Sequence, residues 1–415
     1  MAGFLNSLIL FFSQPAEVVF LWTLLPFGIV MFLGIAFWGG RELYLDSRYG
    51  KYAARQKFVV LAIDVPANTE QTPKAVENIF AILKGTKATI TFKEKWVYGR
   101  YLTATSFEIV SIDGYIQFFI QTNAKYKDVF EAAVWAQYPD AEITEVEDYT
   151  NMLPTEYPND THELFGGEIT TEFPDYFPIK TYEDFEHMVS KDQKLKDPLT
   201  LLLENMSKMK HGEQFWFQMT VNPGGDGGLV KKGQEFITKL YGKDVPAEKT
   251  TWQKYGGPLA GLGAEIGSQL SGFAGLGGEG GDDAPKFTFP NITHFEKAQA
   301  DGVAKKIAKT GYMTKIRWAY IARHEVFNKG GRNALWKGYI AVYVNPGLNK
   351  FQYDPATMPR DDYFWMIWEY RAKQRKLAAA LKGRSWAKGS TPYYMSIEEL
   401  ATLWHFTTFE TKTLL

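Results

Sequence analysis

Seven basic side chains crowd one stretch near the C-terminus: Arg371, Lys373, Arg375, Lys376, Lys382, Arg384 and Lys388, against a single acid, Glu369. Aromatic rings stand beside them: Tyr363, Phe364, Trp365, Trp368, Tyr370 and Trp386. Cations at this density neutralise phosphates, and exposed rings stack on bases. The same cations suit an anionic lipid surface. The candidate set for nucleic-acid or lipid contact is therefore Arg371, Lys373, Arg375, Lys376, Lys382, Arg384, Trp365 and Trp368. The plainer expectation is a helix whose aromatic start packs inward while its basic end is solvated, since charge runs usually form solvated faces. That second expectation is the favoured one.

Other chemistry is hard to place. The chain has no cysteine, which excludes disulfide scaffolds, thiol catalysis, cysteine-bound zinc and iron–sulfur clusters. The six histidines (162, 187, 211, 294, 324 and 405) lack metal-ligand spacing. There is no G-x-x-x-x-G-K-[ST] phosphate loop, no dinucleotide fingerprint after a strand, no H-E-x-x-H and no G-x-S-x-G. No residue is assigned a catalytic, cofactor-binding or metal-binding role, no cofactor is expected, and the chain reads as a non-enzyme. With 46 Lys and Arg against 47 Asp and Glu, the net charge of −1 excludes a basic nucleic-acid binder as a description of the whole chain.

The elements around these residues begin with an anchor. Val18–Trp38 carries no ionisable side chain. A helix of about 20 such residues spans the roughly 30 Å of hydrocarbon in a bilayer. Trp22 and Trp38 stand near its ends, where interfacial aromatics gather. Arg41, Arg48, Lys51, Arg55 and Lys57 follow the span, while Glu17 alone precedes it. The positive-inside tendency then puts the N-terminus outside and the body in the cytoplasm, on a single-pass anchor in the inner membrane. Residues 1–56 are the anchor, with 2–16 expected as a short interfacial helix.

Residues 57–150 read as a strand (57–66), a helix capped at Thr72-Pro73, two strands around Asp113-Gly114, a second helix from Tyr126 and a final strand over 141–147. That order, β-α-β-β-α-β, is the ferredoxin-like unit, with 86–102 as an insertion or extra hairpin. The fold class is thus α+β: a transmembrane helix, a ferredoxin-like module and a second α+β module. The second module has a first part over 151–251 and a second part over 291–415 that carries the basic helix, expected from Asp361 to about Lys382. Gln214–Val221 and Tyr312–Arg323 suit two strands of a second ferredoxin-like unit. Residues 252–290 separate the parts, with eleven glycines between 252 and 285, and read as a linker or insertion. Leu259 to Leu276 at steps of three or four leave open a small-residue helix that touches the bilayer.

Several runs resemble one family. FVVLAIDVPANTEQTPKAVENIFAILKG (58–85), SFEIVSIDGYIQFFIQTNAKYKDVFEAAVWAQYPDAEITEVEDY (106–149), KIAKTGYMTKIRWAYIARHEVFN (306–328) and SIEELATLWHF (396–406) occur in order. They are similar to landmarks of large membrane-associated proteins of small-genome, candidate-phylum bacteria. In many of those proteins the landmarks precede a conjugation-type, type IV secretion-like DNA-translocating ATPase domain. The resemblance implies the N-terminal, non-ATPase half of such a protein. Two features depart from it: the chain ends at Leu415 with no nucleotide-binding domain, and Phe406-Thr407 follows His405 where the family often has proline. The resulting expectation is a membrane-anchored cytoplasmic scaffold or docking component of a translocation apparatus, whose partner is a separately encoded ATPase. The alternative is a membrane-tethered nucleic-acid-binding protein working through 361–388.

Overall fold

The computed structural model describes residues 13–66, 71–152, 154, 156–187, 197–241, 293–360 and 363–407. The expectations for 252–290 and for most of 2–16 lie outside these residues. Helix α1 (Ala16–Ala53) begins after Pro15 and runs 38 residues. It contains the apolar stretch expected from sequence and continues past Trp38 to Ala53, despite Gly39, Gly40 and Gly50. Among the described residues it is the one helix long and apolar enough to cross a membrane, and 6% of its most apolar window is buried against protein.

The body is built on one antiparallel sheet. Strand β1 (Phe58–Asp64) leads to helix α2 (Pro73–Ile82), which has proline in its first turn where no N–H is needed. Residues 86–102, expected as an insertion or hairpin, form no strand; Thr91 and Glu94 make a capping box that starts a short helix instead, α3 (Phe92–Trp96). Strands β2 (Thr105–Ile112) and β3 (Tyr115–Asn123) flank the Asp113-Gly114 turn, and helix α4 (Lys127–Gln137) and strand β4 (Glu142–Val146) complete the first half.

The second half runs through strand β5 (His162–Thr171), helices α5 (Tyr182–His187) and α6 (Pro198–Ser207), strand β6 (Glu213–Asn222) and helix α7 (Leu229–Leu240). After the glycine-rich stretch come helix α8 (His294–Ala308), strand β7 (Gly311–Arg323), helix α9 (Lys329–Ala341) and strand β8 (Phe351–Tyr353). The chain ends with helix α10 (Ile367–Lys382), strand β9 (Tyr393–Ser396) and helix α11 (Ile397–Leu403).

The strand order is β4-β1-β3-β2-β6-β7-β5-β8, with β9 added beside β7. Within each half, the first strand sits between the third and the fourth. The halves meet where β2 pairs with β6, from Thr105 opposite Val221 to Ile112 opposite Gln214. The order is therefore a palindrome about that seam.

Alternation along the strands gives the sheet two covered faces. Phe107, Ile109, Phe215, Phe217, Ile316 and Trp318 point into the larger core, which the helices α2, α4, α6, α9 and α11 close. Val60, Val110, Phe119, Trp216, Ala319 and Ile321 point the other way, into a smaller core closed by Leu377 and Leu381 of α10 and by Tyr149 and Tyr157. The C-terminal segment crosses the expected module boundary, because α11 packs on α2 of the first half. Trp404 is fully buried there, its ring among those of Phe80, Phe107, Phe118 and Phe406.

Candidate functional site

The basic helix departs from the favoured expectation at its start: Tyr363, Trp365 and Trp368 face outward, while Arg375, Lys376, Lys382 and Lys388 are exposed as expected. Tyr370, Gln374, Leu377 and Leu381 recur every three or four residues and form the buried face of α10. Its charged residues largely bind the body. Arg371 donates to Glu163 at 2.9 Å, and Gln374 donates to the Leu164 carbonyl at 2.6 Å. Lys373 reaches the Pro355 carbonyl at 2.9 Å and Glu369 at 2.8 Å, while Arg375 reaches the Tyr157 carbonyl at 3.4 Å. Lys376 and Lys382 are exposed.

Arg384 is not a surface cation at all. It sits 7% exposed in the left-handed backbone region at φ 42°, a conformation that costs roughly 1–2 kcal/mol for a residue with a Cβ. A network holds it there. Its Nε and Nη2 donate to the two oxygens of Glu108 at 2.9 and 3.1 Å, and Nη1 donates to Asp148. Glu108, fully buried in the seam strand β2, also accepts from the Tyr149 hydroxyl at 2.7 Å, and that hydroxyl accepts from Gln218 of β6 at 2.8 Å. Burial pushes the Asp148 carboxyl up, but the hydrogen bond and charge of Arg384 outweigh it and hold the pKa below the usual value. Burial likewise disfavours the guanidinium, yet Glu108 and its neighbours raise the Arg384 pKa well above the ordinary one.

A second buried pair lies one strand pair further on. Arg317 of β7 donates through Nε to Glu168 of β5 at 2.6 Å and through Nη2 to the carbonyls of Ser385 and Lys388, at 2.5 and 2.8 Å. Ser390 closes on the other oxygen of Glu168. Gly389 makes that approach possible: its φ is +93°, and a Cβ there would stand 2.0 Å from Glu168 Oε1. Against this pair a cleft of about 350 Å³ opens between α10, residues 356–357 and residues 388–389, lined by Glu168, Lys373, Lys376 and Lys388 with Leu377 and Ala380. Two of the expected contact residues, Lys373 and Lys376, thus converge on one depression.

The aromatic start of α10 points outward rather than into the core. Trp368 is 82% exposed, Trp365 60% and Tyr363 58%. The Tyr363 and Trp365 rings stack 4.7 Å apart at 5°. With Ile367 these form an apolar surface patch of the kind found at recognition sites. Sequence reasoning misplaced these rings because it counted charges. The signal was the apolar stripe at 370, 377 and 381, with Gln374 on the same face.

One acidic cluster has metal-like spacing. Carboxylate oxygens of Glu77, Glu183 and Glu398 lie within 4.8 Å of one another. Lys309 reaches all three, and Lys305 reaches Glu183 at 2.9 Å and Glu398 at 3.1 Å. Burial lowers the affinity of both lysines for their protons, but the carboxylates more than restore it, and both pKa values are raised. Two lysines thus offset most of the charge of the three carboxylates from within the fold. The cluster ties α2, α5, α8 and α11 together.

A family model described as a domain of unknown function (DUF8128) matches residues 66–255, from the end of β1 to beyond α7. No curated protein matches the chain.

Proposed function

We propose that the protein is a non-enzymatic, membrane-anchored docking component of a type IV secretion-like DNA-translocation apparatus, with its body on the cytoplasmic side of the inner membrane. The observation that carries this reading is the outward aromatic patch at Tyr363, Trp365, Ile367 and Trp368. Trp and Tyr anchors are what protein interfaces use most heavily. Support also comes from the way charged residues around the two buried guanidiniums are spent on holding strands and α10 together. The sequence resemblance supplies the partner class, a separately encoded ATPase. Each half of the body is further proposed to be a ferredoxin-like unit, a reading supported by the 4-1-3-2 strand order of the first half and its mirror in the second.

The test is photo-crosslinking in native membranes from a photoreactive residue placed at Trp368. The expected product is an adduct with an NTPase subunit that disappears when Trp365 and Tyr363 become alanine. An adduct with nucleic acid instead, lost when Lys376 and Lys382 become alanine, would replace this reading with that of a tethered nucleic-acid binder. Absence of any adduct from a folded, membrane-inserted protein would refute both.

A further inference from the structure

The cytoplasmic end of α1 does not hang free from the body. The Tyr44 hydroxyl donates to the Trp96 carbonyl at 3.0 Å. Gly99, at φ +66°, lies so close that a Cβ would stand 2.3 Å from the Arg48 carbonyl oxygen. Tyr101 meets Tyr49 and Tyr52 edge to face, at 5.8 and 5.4 Å. Read in order, 96 lies at 44, 99 at 48 and 101 at 49 and 52. The chain from Trp96 to Tyr101 therefore climbs α1 away from Trp38, and α3 is the part nearest the apolar span.

Helix α3 is five residues long and buries none of them. A helix so short is not stable on its own propensity. Phe92 is 78% exposed, Tyr98 57% and Val97 46%. The Phe92 and Trp96 rings stand 5.6 Å apart. Lys87, Lys93 and Lys95 are exposed around them. Aromatic and apolar groups ringed by lysine are the composition of a segment that lies in a bilayer interface. The distances agree. Tyr44 is six residues past Trp38, about 9 Å along a helix, and a helical side chain leans toward the N-terminus, here toward the bilayer. The headgroup layer on one side is about 5–7 Å thick.

We infer that α3 and the turn after it (Phe92, Trp96, Val97 and Tyr98, with Lys87, Lys93 and Lys95) rest in the headgroup layer of an anionic membrane. This makes a second contact beside the α1 span and fixes the orientation of the body over the bilayer. The occupant of this surface is lipid, because the surface continues the lipid-facing flank of α1 and its charge is basic. The inference rests on the anchoring role of α1.

The absence of cysteine allows single labels without other changes. Phe92→Cys, Tyr98→Cys, Phe37→Cys and Glu235→Cys, each in the full chain with an environment-sensitive fluorophore, would be reconstituted in vesicles of phosphatidylcholine with about one-third phosphatidylglycerol. Labels at 92 and 98 should be quenched more by a headgroup nitroxide than by a deep acyl-chain nitroxide. The label at 37 should show the reverse, and the label at 235 should respond to neither. Lys93→Glu with Lys95→Glu should reduce quenching at 92 and leave 37 unchanged. Water-like behaviour at 92 and 98 with a lipid-buried label at 37 would overturn the interfacial contact and leave the anchor intact. Water-like behaviour at 37 as well would overturn both.

Discussion

Arg384 shows how strongly this fold depends on single charges. Its guanidinium neutralises Glu108, which has no exposure of its own. Removing one partner of such a pair leaves a buried charge uncompensated, at a cost of about 3–5 kcal/mol. Arg384→Met should therefore lower the melting temperature of the detergent-solubilised protein sharply, and adding Glu108→Gln should recover part of the loss. If Arg384→Met melted like the parent, the pair would be marginal. Acid should act on the same class of group. Asp148, Glu183 and Glu213 have pKa values held below the usual carboxylate range in the folded protein, where burial alone would raise them and Arg384, the lysines 305 and 309, and Arg332 with Tyr320 respectively prevail. A depressed folded pKa contributes stability that is complete above the unfolded value, near pH 4, and disappears as pH falls towards and through the lower folded values. Melting measured from pH 7 to 3 should drop across that window, and Asp148→Asn should start lower at pH 7 and fall less steeply.

Among the elements, α10 and α11 reward comparison. Each has a tryptophan, with opposite placements: Trp368 in the first turn of α10 is 82% exposed, whereas Trp404, just past α11, has no exposure. Trp404→Ala should cost about 3–5 kcal/mol through lost burial and the cavity left among four phenylalanines. Trp368→Ala should stay within about 0.5 kcal/mol, as exposed substitutions do. Denaturant titration of the two variants would separate them, and equal losses would contradict the orientation of α10. Much of the element pattern was legible in the sequence. Thr72-Pro73, Asp113-Gly114 and Ser396 with Glu399 mark boundaries through local chemistry, and the structure places α2, the β2–β3 turn and α11 at those points. What was not legible depends on distant partners. The basic run looked solvated because Glu163 and Glu108, which take up Arg371 and Arg384, are more than 200 residues away in the chain. Strand β9 is four residues long, and β7 alone gives it a reason to be extended. The candidate site was half legible: its residues were picked out by type and the outward Lys376 and Lys382 were expected, but the outward Trp365 and Trp368 and the buried Arg384 were not.

For the whole molecule, the sheet joins what sequence reads as two modules. Strand β2 would be an edge in an isolated first half, yet here all its neighbours are filled, by β3 and β6. The same half receives Trp404 and Phe406 from the far end of the chain. Residues 57–150 expressed alone should therefore lack a cooperative melting transition and should associate through the bared β2 edge. Circular dichroism on heating and sedimentation of that fragment provide the check. A monomeric fragment with a sharp transition would show that the first half is self-sufficient.

The clamp between α1 and residues 96–101 also has a mechanical meaning. Four residues after Tyr101 the chain enters β2, the strand on which both halves are hydrogen-bonded. A pull or tilt applied to α1 thus reaches the sheet along two routes, through residues 54–57 into β1 and through the clamp into β2 at the middle of the sheet. Strain there is shared by two ladders at once, and bonds strained together along a strand yield less readily than bonds opened one by one from an end. A tilt of α1 would therefore act on both halves of the body at once, because β2 carries a ladder to each of them.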